Sequence, residues 1–203
     1  MSRVTKSTDF EVYRIRAGYH DQEWATIAIK GWQVPADAYC STPREIGEIL
    51  IHSSFGSWAY QWSHLGVEFK AWLAGNRDRS YMAEKFLGSA AYKFDGEKTV
   101  KGLRERVIEQ RRHGGLRKEE ARLIWDWIEE NELELETSPD SFVNKMYDGP
   151  RDCDELTRST GARFFEEPWE HIATSLDRPF DGFWTQVWPV FRQALREEMA
   201  VPA

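Results

Sequence analysis

The apolar residues of this chain change their spacing at Gly66, from a period of two to a period near 3.6. That single change restricts the fold to strands first and helices after, the α+β layout. Ahead of it, Phe10–Arg16 alternates, with Phe10 and Val12 on one parity and Tyr13 and Ile15 on the other. Trp24–Trp32 keeps Ile27 and Ile29 in phase, and Ile46–Ser53 does the same with Ile49 and Ile51. Trp58–His64 places Trp58, Tyr60, Trp62 and His64 on one face, which is expected to meet the helices. Residues 17–22 connect the first two strands, and Pro35 and Pro43 bracket a loop that holds Cys40. Ser54-Phe55-Gly56-Ser57 is a turn in which Gly56 can take positive φ at low cost. The expectation is a four-stranded antiparallel sheet.

Helical spacing then takes over. Phe69, Trp72 and Leu73 define a short helix that stops at Gly75, and Asp78–Phe86 a second one stopped by Gly88. Asp95 caps a long helix to Arg112, with Val100, Leu103, Val107 and Ile108 on its stripe and Gly114-Gly115 at its end. Lys118–Glu134 follows, with Ala121, Ile124, Trp125 and Ile128 inward. Ser138-Pro139 starts another helix, and Pro168 a short one from Trp169 to Ser175. The last helix carries Phe180, Trp184, Val187, Trp188, Phe191 and Leu195, with a kink or restart at Pro189.

With 203 residues the chain suits one α+β domain, residues 1–64 forming the sheet part and 65–203 the helical part packed on it. It holds 10 tryptophans, enough to supply both a core of large rings and a binding face. No run of 18 apolar residues exists to span a membrane, and Met1–Lys6 leads into polar residues without a signal-peptide core. Two cysteines, Cys40 and Cys153, are too few for a disulfide framework and fit free thiols in a cytoplasmic protein.

Local motifs for catalysis are missing. His20, His52, His64, His113 and His171 form no HxxxH, HxH or HExxH pattern, and the sequence has no phosphate loop or nucleophile elbow. No cofactor and no metal are therefore expected, and a non-enzymatic role is favoured. One enzymatic alternative stays open at the central hairpin, where His52, Trp58, Tyr60, Trp62 and His64 could line a small site.

Charge is polarised more sharply than chemistry. Eight cations lie between Lys98 and Lys118, and then Asp126, Glu129, Glu130, Glu132, Glu134, Glu136 and Asp140 follow with no cation among them. Two solvated helix faces that neutralise one another would account for this pattern. The acidic run, from Asp126 to Glu136, could instead engage a protein with a basic surface. Lys101, Arg104, Arg111 and Arg112 could contact nucleic acid, although a net charge of −7 disfavours polyanions.

Four segments carry a family likeness. Glu48–Leu73, EILIHSSFGSWAYQWSHLGVEFKAWL, resembles a family of small proteins encoded by tailed phages and prophages, and so does Ser80–Phe86. The likeness continues through Phe94–Val100 and the basic helix, and closes on Gly182–Phe191, GFWTQVWPVF. No catalytic residue comes with the resemblance. It implies a phage accessory protein in the cytoplasm of a bacterial host. In that setting the first expectation is a stoichiometric inhibitor of a host defence protein, such as an anti-CRISPR. The alternatives are a nucleic-acid-associated protein of phage replication or recombination, and a small enzyme built around His52 and His64.

Overall fold

The structure is a computed structural model that describes residues 6, 8–36, 42–152 and 160–200, so Cys40 and Cys153 lie outside the described residues. It divides into two compact units, Met1–Ala91 with Leu176–Ala203, and Tyr92–Ser175. Each has a hydrophobic core of its own.

The first unit contains the expected sheet. Strands β1 (Glu11–Ala17), β2 (Glu23–Val34), β3 (Arg44–Ser53) and β4 (Gly56–Leu65) pair antiparallel in the order β1-β2-β3-β4. Ile27, Ile29, Ile49 and Ile51 are buried on one face, as period-two alternation requires when one side of a sheet is covered. The β3–β4 turn is tight, with Gly56 at φ 148° and the Ser53 hydroxyl donating to the Gly56 carbonyl at 2.8 Å.

Helices α1 (Phe69–Ala74) and α2 (Arg79–Leu87) cover that face. Gly31 and Gly47 stand opposite each other in the β2–β3 ladder. Their missing side chains leave a notch that the Phe69 ring fills, since a Cβ on Gly47 would overlap that ring. Glu45, buried beside the notch, accepts the Phe69 backbone N–H at 3.3 Å and so satisfies one of the orphan donors of α1. Glu68 caps the same helix by accepting from the backbone N–H groups of Lys70 and Ala71.

The remaining cover comes from α7 (Arg178–Gln186) and α8 (Trp188–Ala200). The restart expected at Pro189 is there: α7 ends before Val187, and Pro189 sits in the first turn of α8 where its missing N–H costs nothing. Trp58 of β4 meets Phe180 edge-on with centroids 5.6 Å apart and Phe183 at 5.1 Å. Trp184 stacks on Trp188 at 5.2 Å, and Phe191 meets Tyr13 of β1 at 5.3 Å. The Tyr13 hydroxyl donates to Glu198 at 2.8 Å, and Lys70 bridges Glu11 and Glu198 at 2.6 and 2.9 Å, tying β1, α1 and α8 together. Burial, then the Glu198 bond, pushes the Tyr13 hydroxyl pKa upward. Burial opposes the Lys70 charge, but the two carboxylates outweigh it and hold the ammonium above its ordinary range.

Trp58, Tyr60 and Trp62 face this core as expected, but His64 does not. Glu45 pairs with Leu65 while Gly47 pairs with Trp62, so two steps along β3 match three along β4. The extra residue is a β-bulge, which reverses the side on which the chain emerges. His64 is thereby exposed and Leu65 takes the inward position.

The second unit holds α3 (Gly96–Arg112), α4 (Lys118–Glu130), α5 (Glu132–Thr137) and α6 (Pro139–Asp152), with a two-stranded sheet of β5 (Tyr92–Phe94) and β6 (Thr174–Leu176), all but Leu176 within its bounds. Its core gathers Leu103, Val107, Ile124, Ile128, Phe142 and Phe164 among others. Four expectations need correction. The helix from Lys118 breaks at Asn131, whose backbone and side-chain N–H groups both bond back to the Trp127 carbonyl. Trp127, not Trp125, is buried, and Ile108 is 40% exposed, because Val107, Ile124, Trp127 and Ile128 fill the inward stripes of the two helices and leave Ile108 and Trp125 at their edges. The segment after Pro168 is a single 3-10 turn to His171 followed by β6, not a helix to Ser175.

Of the tryptophans, Trp62, Trp72, Trp127 and Trp188 are buried and Trp169 is exposed, so much of the aromatic surplus is core. Trp62 is 5% exposed and its indole N–H donates to the Tyr81 hydroxyl at 2.9 Å. Truncation by Trp62→Ala is expected to cost about 3–5 kcal/mol in denaturant unfolding. Gly47→Val, which forces Phe69 out of the notch, is expected to destabilise by at least about 2 kcal/mol. A loss below about 1 kcal/mol in either variant would contradict this packing.

Candidate functional site

The residues singled out at the central hairpin do not assemble into one site. His52 lies on the outer face of the sheet, where its Nδ1 is 2.8 Å from the Ser57 hydroxyl and its ring meets Trp24 at 5.0 Å. Trp58, Tyr60 and Trp62 lie on the opposite, covered face. In the β3–β4 register His52 pairs with Ser57 near the turn, whereas His64 is seven positions further along β4. That separation is roughly 20 Å of strand, so the two imidazoles share no pocket.

The acidic run and the basic helix both fall in the second unit, and there they partly neutralise each other. Arg104 of α3 grips Glu132 through two parallel hydrogen bonds of 3.0 and 2.9 Å. That bidentate pair holds the Glu132 carboxyl below its ordinary range. Asp126 pairs with Arg122 at 2.9 Å, and Glu134 with Lys145 at 3.7 Å. Glu136 is half-buried, and desolvation, reinforced by Glu132 and Glu97, pushes its carboxyl upward. Its backbone lies so close to Gly96 that any Cβ there would collide with it, which is why α3 opens on a glycine.

Glu129 and Glu130 remain at the surface, on the last turn of α4. The break at Asn131 then turns the chain a corner, and the next turn presents Leu133, 84% exposed, between Glu132 and Glu134. The result is an exposed apolar side chain with carboxylates on either side of it in sequence. The sequence signal for it was present: Leu133 and Leu135 are two apart, so a helix can bury only one of them, and Leu135 is the buried one.

The basic helix is equally divided. Lys101 is 3.8 Å from Glu105, Arg104 is held by Glu132, and Arg106 turns inward onto the His171 ring and over Phe164. Arg111 and Arg112 stay exposed at the end of α3. There the chain reverses at Gly114, with φ 77°, and returns as α4. Between the two helices lies a groove of about 490 Å³. Val107, Ile108, Ala121 and Trp125 floor it, and Arg111, Arg112, Lys118 and Arg122 rim it. Lys118, Arg122 and Trp125 were not expected at such a site. Ile108 and Trp125 were the clue, as the apolar residues at the edge of stripes already filled by Val107 and Ile124.

Among the described residues no group of three or more His, Cys, Asp or Glu could hold a metal ion. Among them also, no helix is long and apolar enough to cross a membrane.

A phage-family model, Phage_phiTE_072, matches residues 3–197. No curated protein and no solved structure shows a significant match.

Burial, and then the Arg106 charge, holds the His171 imidazolium below its ordinary pKa of 6.5. The unfolded chain therefore takes up this proton first as pH falls through about 6.5, and stability contributed by neutral His171 is lost on the acid side. The melting temperature should fall between about pH 7 and pH 5. His171→Gln should flatten that slope, and an unchanged slope would remove His171 as its source.

Proposed function

The chain belongs to the phage family whose model spans it, and on that premise we propose an accessory protein that binds a host protein stoichiometrically, as an inhibitor of anti-phage defence. The observation that supports this reading is the acidic corner between α4 and α5. Leu133 is presented almost wholly to water, and an exposed leucine on a six-residue helix adds nothing to the fold's own core. Close by in sequence, exposed Glu129 and Glu130 provide negative charge from α4, and Glu134 from α5.

Such a knob suits a partner with an apolar socket rimmed by lysine or arginine. The apolar contact would supply the desolvated centre of the interface, and the carboxylates would steer approach and set orientation. The corner is also held in place before binding. The bidentate Arg104–Glu132 pair and the Asn131 bonds to Trp127 fix its backbone, which lowers the entropy that association must overcome. The bacterial host cytoplasm is the corresponding setting. This mode of action needs an interface and no reacting centre.

Affinity capture from lysate of the phage's bacterial host, with nuclease treatment in parallel, tests the proposal. The expected result is one host protein at near-stoichiometric yield that survives nuclease. Glu129→Lys with Glu130→Lys should abolish capture without lowering the circular-dichroism melting temperature, since both side chains are exposed. Leu133→Asp should weaken capture by roughly tenfold or more, the range for losing a buried leucine contact. Full capture by both folded variants would remove the acidic corner as the contact.

A further inference from the structure

We infer that the groove between α3 and α4 is a binding site for a free nucleotide. This goes beyond the host-protein reading, which rests on a different surface. Three features of the groove point to a ligand that combines a flat apolar body with a compact negative charge.

The first is the floor. Val107, Ile108 and Ala121 form an aliphatic surface, and Trp125, half-buried, closes one side of it. A base has an apolar π-face that stacks on an indole, whereas a simple inorganic anion would leave this floor wet. The second is the rim. Arg111, Arg112 and Lys118 converge on the groove, and no ion pair holds any of them among the described residues. Arg122, by contrast, is held by Asp126 at 2.9 Å. Paired guanidinium groups match phosphate oxygens in bidentate geometry, and a lysine adds a point charge for a further phosphate. No carboxylate lines the groove among the described residues, so an anion there meets attraction from Arg111, Arg112 and Lys118. The third is size. A volume of about 490 Å³ lies within the range of small-molecule sites and accommodates one nucleotide.

Net charge separates a free nucleotide from a nucleic-acid strand. Residues 92–175 hold 20 Asp and Glu against 14 Lys and Arg. A strand leaving the groove would run out over that acidic surface, with its remaining phosphates repelled. A single nucleotide places its phosphates on the three cations and extends no further.

Isothermal titration of the full chain at physiological salt tests the inference, using ATP, AMP, inorganic pyrophosphate and a 20-nucleotide single-stranded DNA as separate probes. The expected result is 1:1 binding of ATP, with AMP weaker and pyrophosphate at least about tenfold weaker, because the base contact is lost. Arg111→Glu with Arg112→Glu should weaken ATP at least about tenfold. Both side chains are exposed, so that variant should fold as the wild type does. Trp125→Ala should weaken ATP and AMP together while leaving pyrophosphate unchanged. Pyrophosphate binding as tightly as ATP would reduce the site to a general anion patch and overturn the inference. So would tighter binding of the single strand, unaltered ATP binding by the double arginine variant, or no binding of ATP at about millimolar concentration. The Glu129 and Glu130 variants should bind ATP normally, so failure here and failure of the host-protein reading can be told apart.

Discussion

The sheet unit depends on one steric arrangement, the Phe69 ring seated against Gly31 and Gly47. Two glycines facing each other across a ladder weaken a sheet locally, since neither offers a side chain to pack. Here they let α1 approach close enough for a phenyl ring to take the place of two Cβ atoms. Other contacts follow from that approach. Glu45 reaches the first backbone N–H of α1, Trp72 and Leu73 are carried into the core, and Lys70 is placed beside Glu198 of α8. Aromatic rings then extend the packing across the unit, Trp62 to Phe69 and Trp72, and Trp58 to Phe180 and Phe183. A chain with so many large, flat side chains needs small residues where the backbone must come near. Gly182, whose Cβ would overlap Phe55, is a second example.

Much of this architecture was legible because it depends on short-range periodicity and caps. Ile27, Ile29, Ile49 and Ile51 alternate in sequence and are buried together. Asp95 caps the helix expected of it, Gly75 and Gly88 end the helices before them, and Asp78, expected as the first helical residue, is the cap of α2. What escaped were features that a period does not encode. Alternation through Trp58, Tyr60 and Trp62 carries on to His64, but the bulge opposite Glu45 and Gly47 depends on how a second strand is paired. The short β5–β6 pair joins segments about 80 residues apart, three residues each, too brief for any pattern to register. Helical stripes drawn from spacing alone are too wide, taking in Ile108 and Trp125, because the sequence shows which residues are apolar but not which neighbour fills the space first.

The same limit applied to charge. The basic and acidic runs are plain in the sequence, and their neutralisation required only that the helices meet. Which charges cancel depends on three-dimensional detail: Arg104 and Glu132 are 28 positions apart and form the bidentate pair, while Arg111, Arg112, Glu129 and Glu130 keep their charge at the surface. The candidate surfaces are what remains after that subtraction. Each is smaller than the run it came from, and each contains an apolar residue, Leu133 or Trp125, that no count of charge would have selected.

The two surfaces lie at opposite ends of α4, and their order along that helix runs against its dipole. Lys118 stands at the first position, where the partial charge is positive, and Glu129 and Glu130 stand in the last turn, where it is negative. Each such placement costs about 0.3–1 kcal/mol relative to the reverse order. Glu119 and Glu120 in the first turn offset part of this at the amino end, but the last turn contains no cation. A helix selected for stability alone would have lysine or arginine at positions 129 and 130. Within the chain, Glu129 favours the charge of Arg104 and so offsets part of that cost. The length of α4, 13 residues or about 20 Å, also exceeds the screening distance of roughly 8 Å at physiological salt. Charge held at Lys118, in the first turn, would therefore be largely screened at Glu129 and Glu130 in the last.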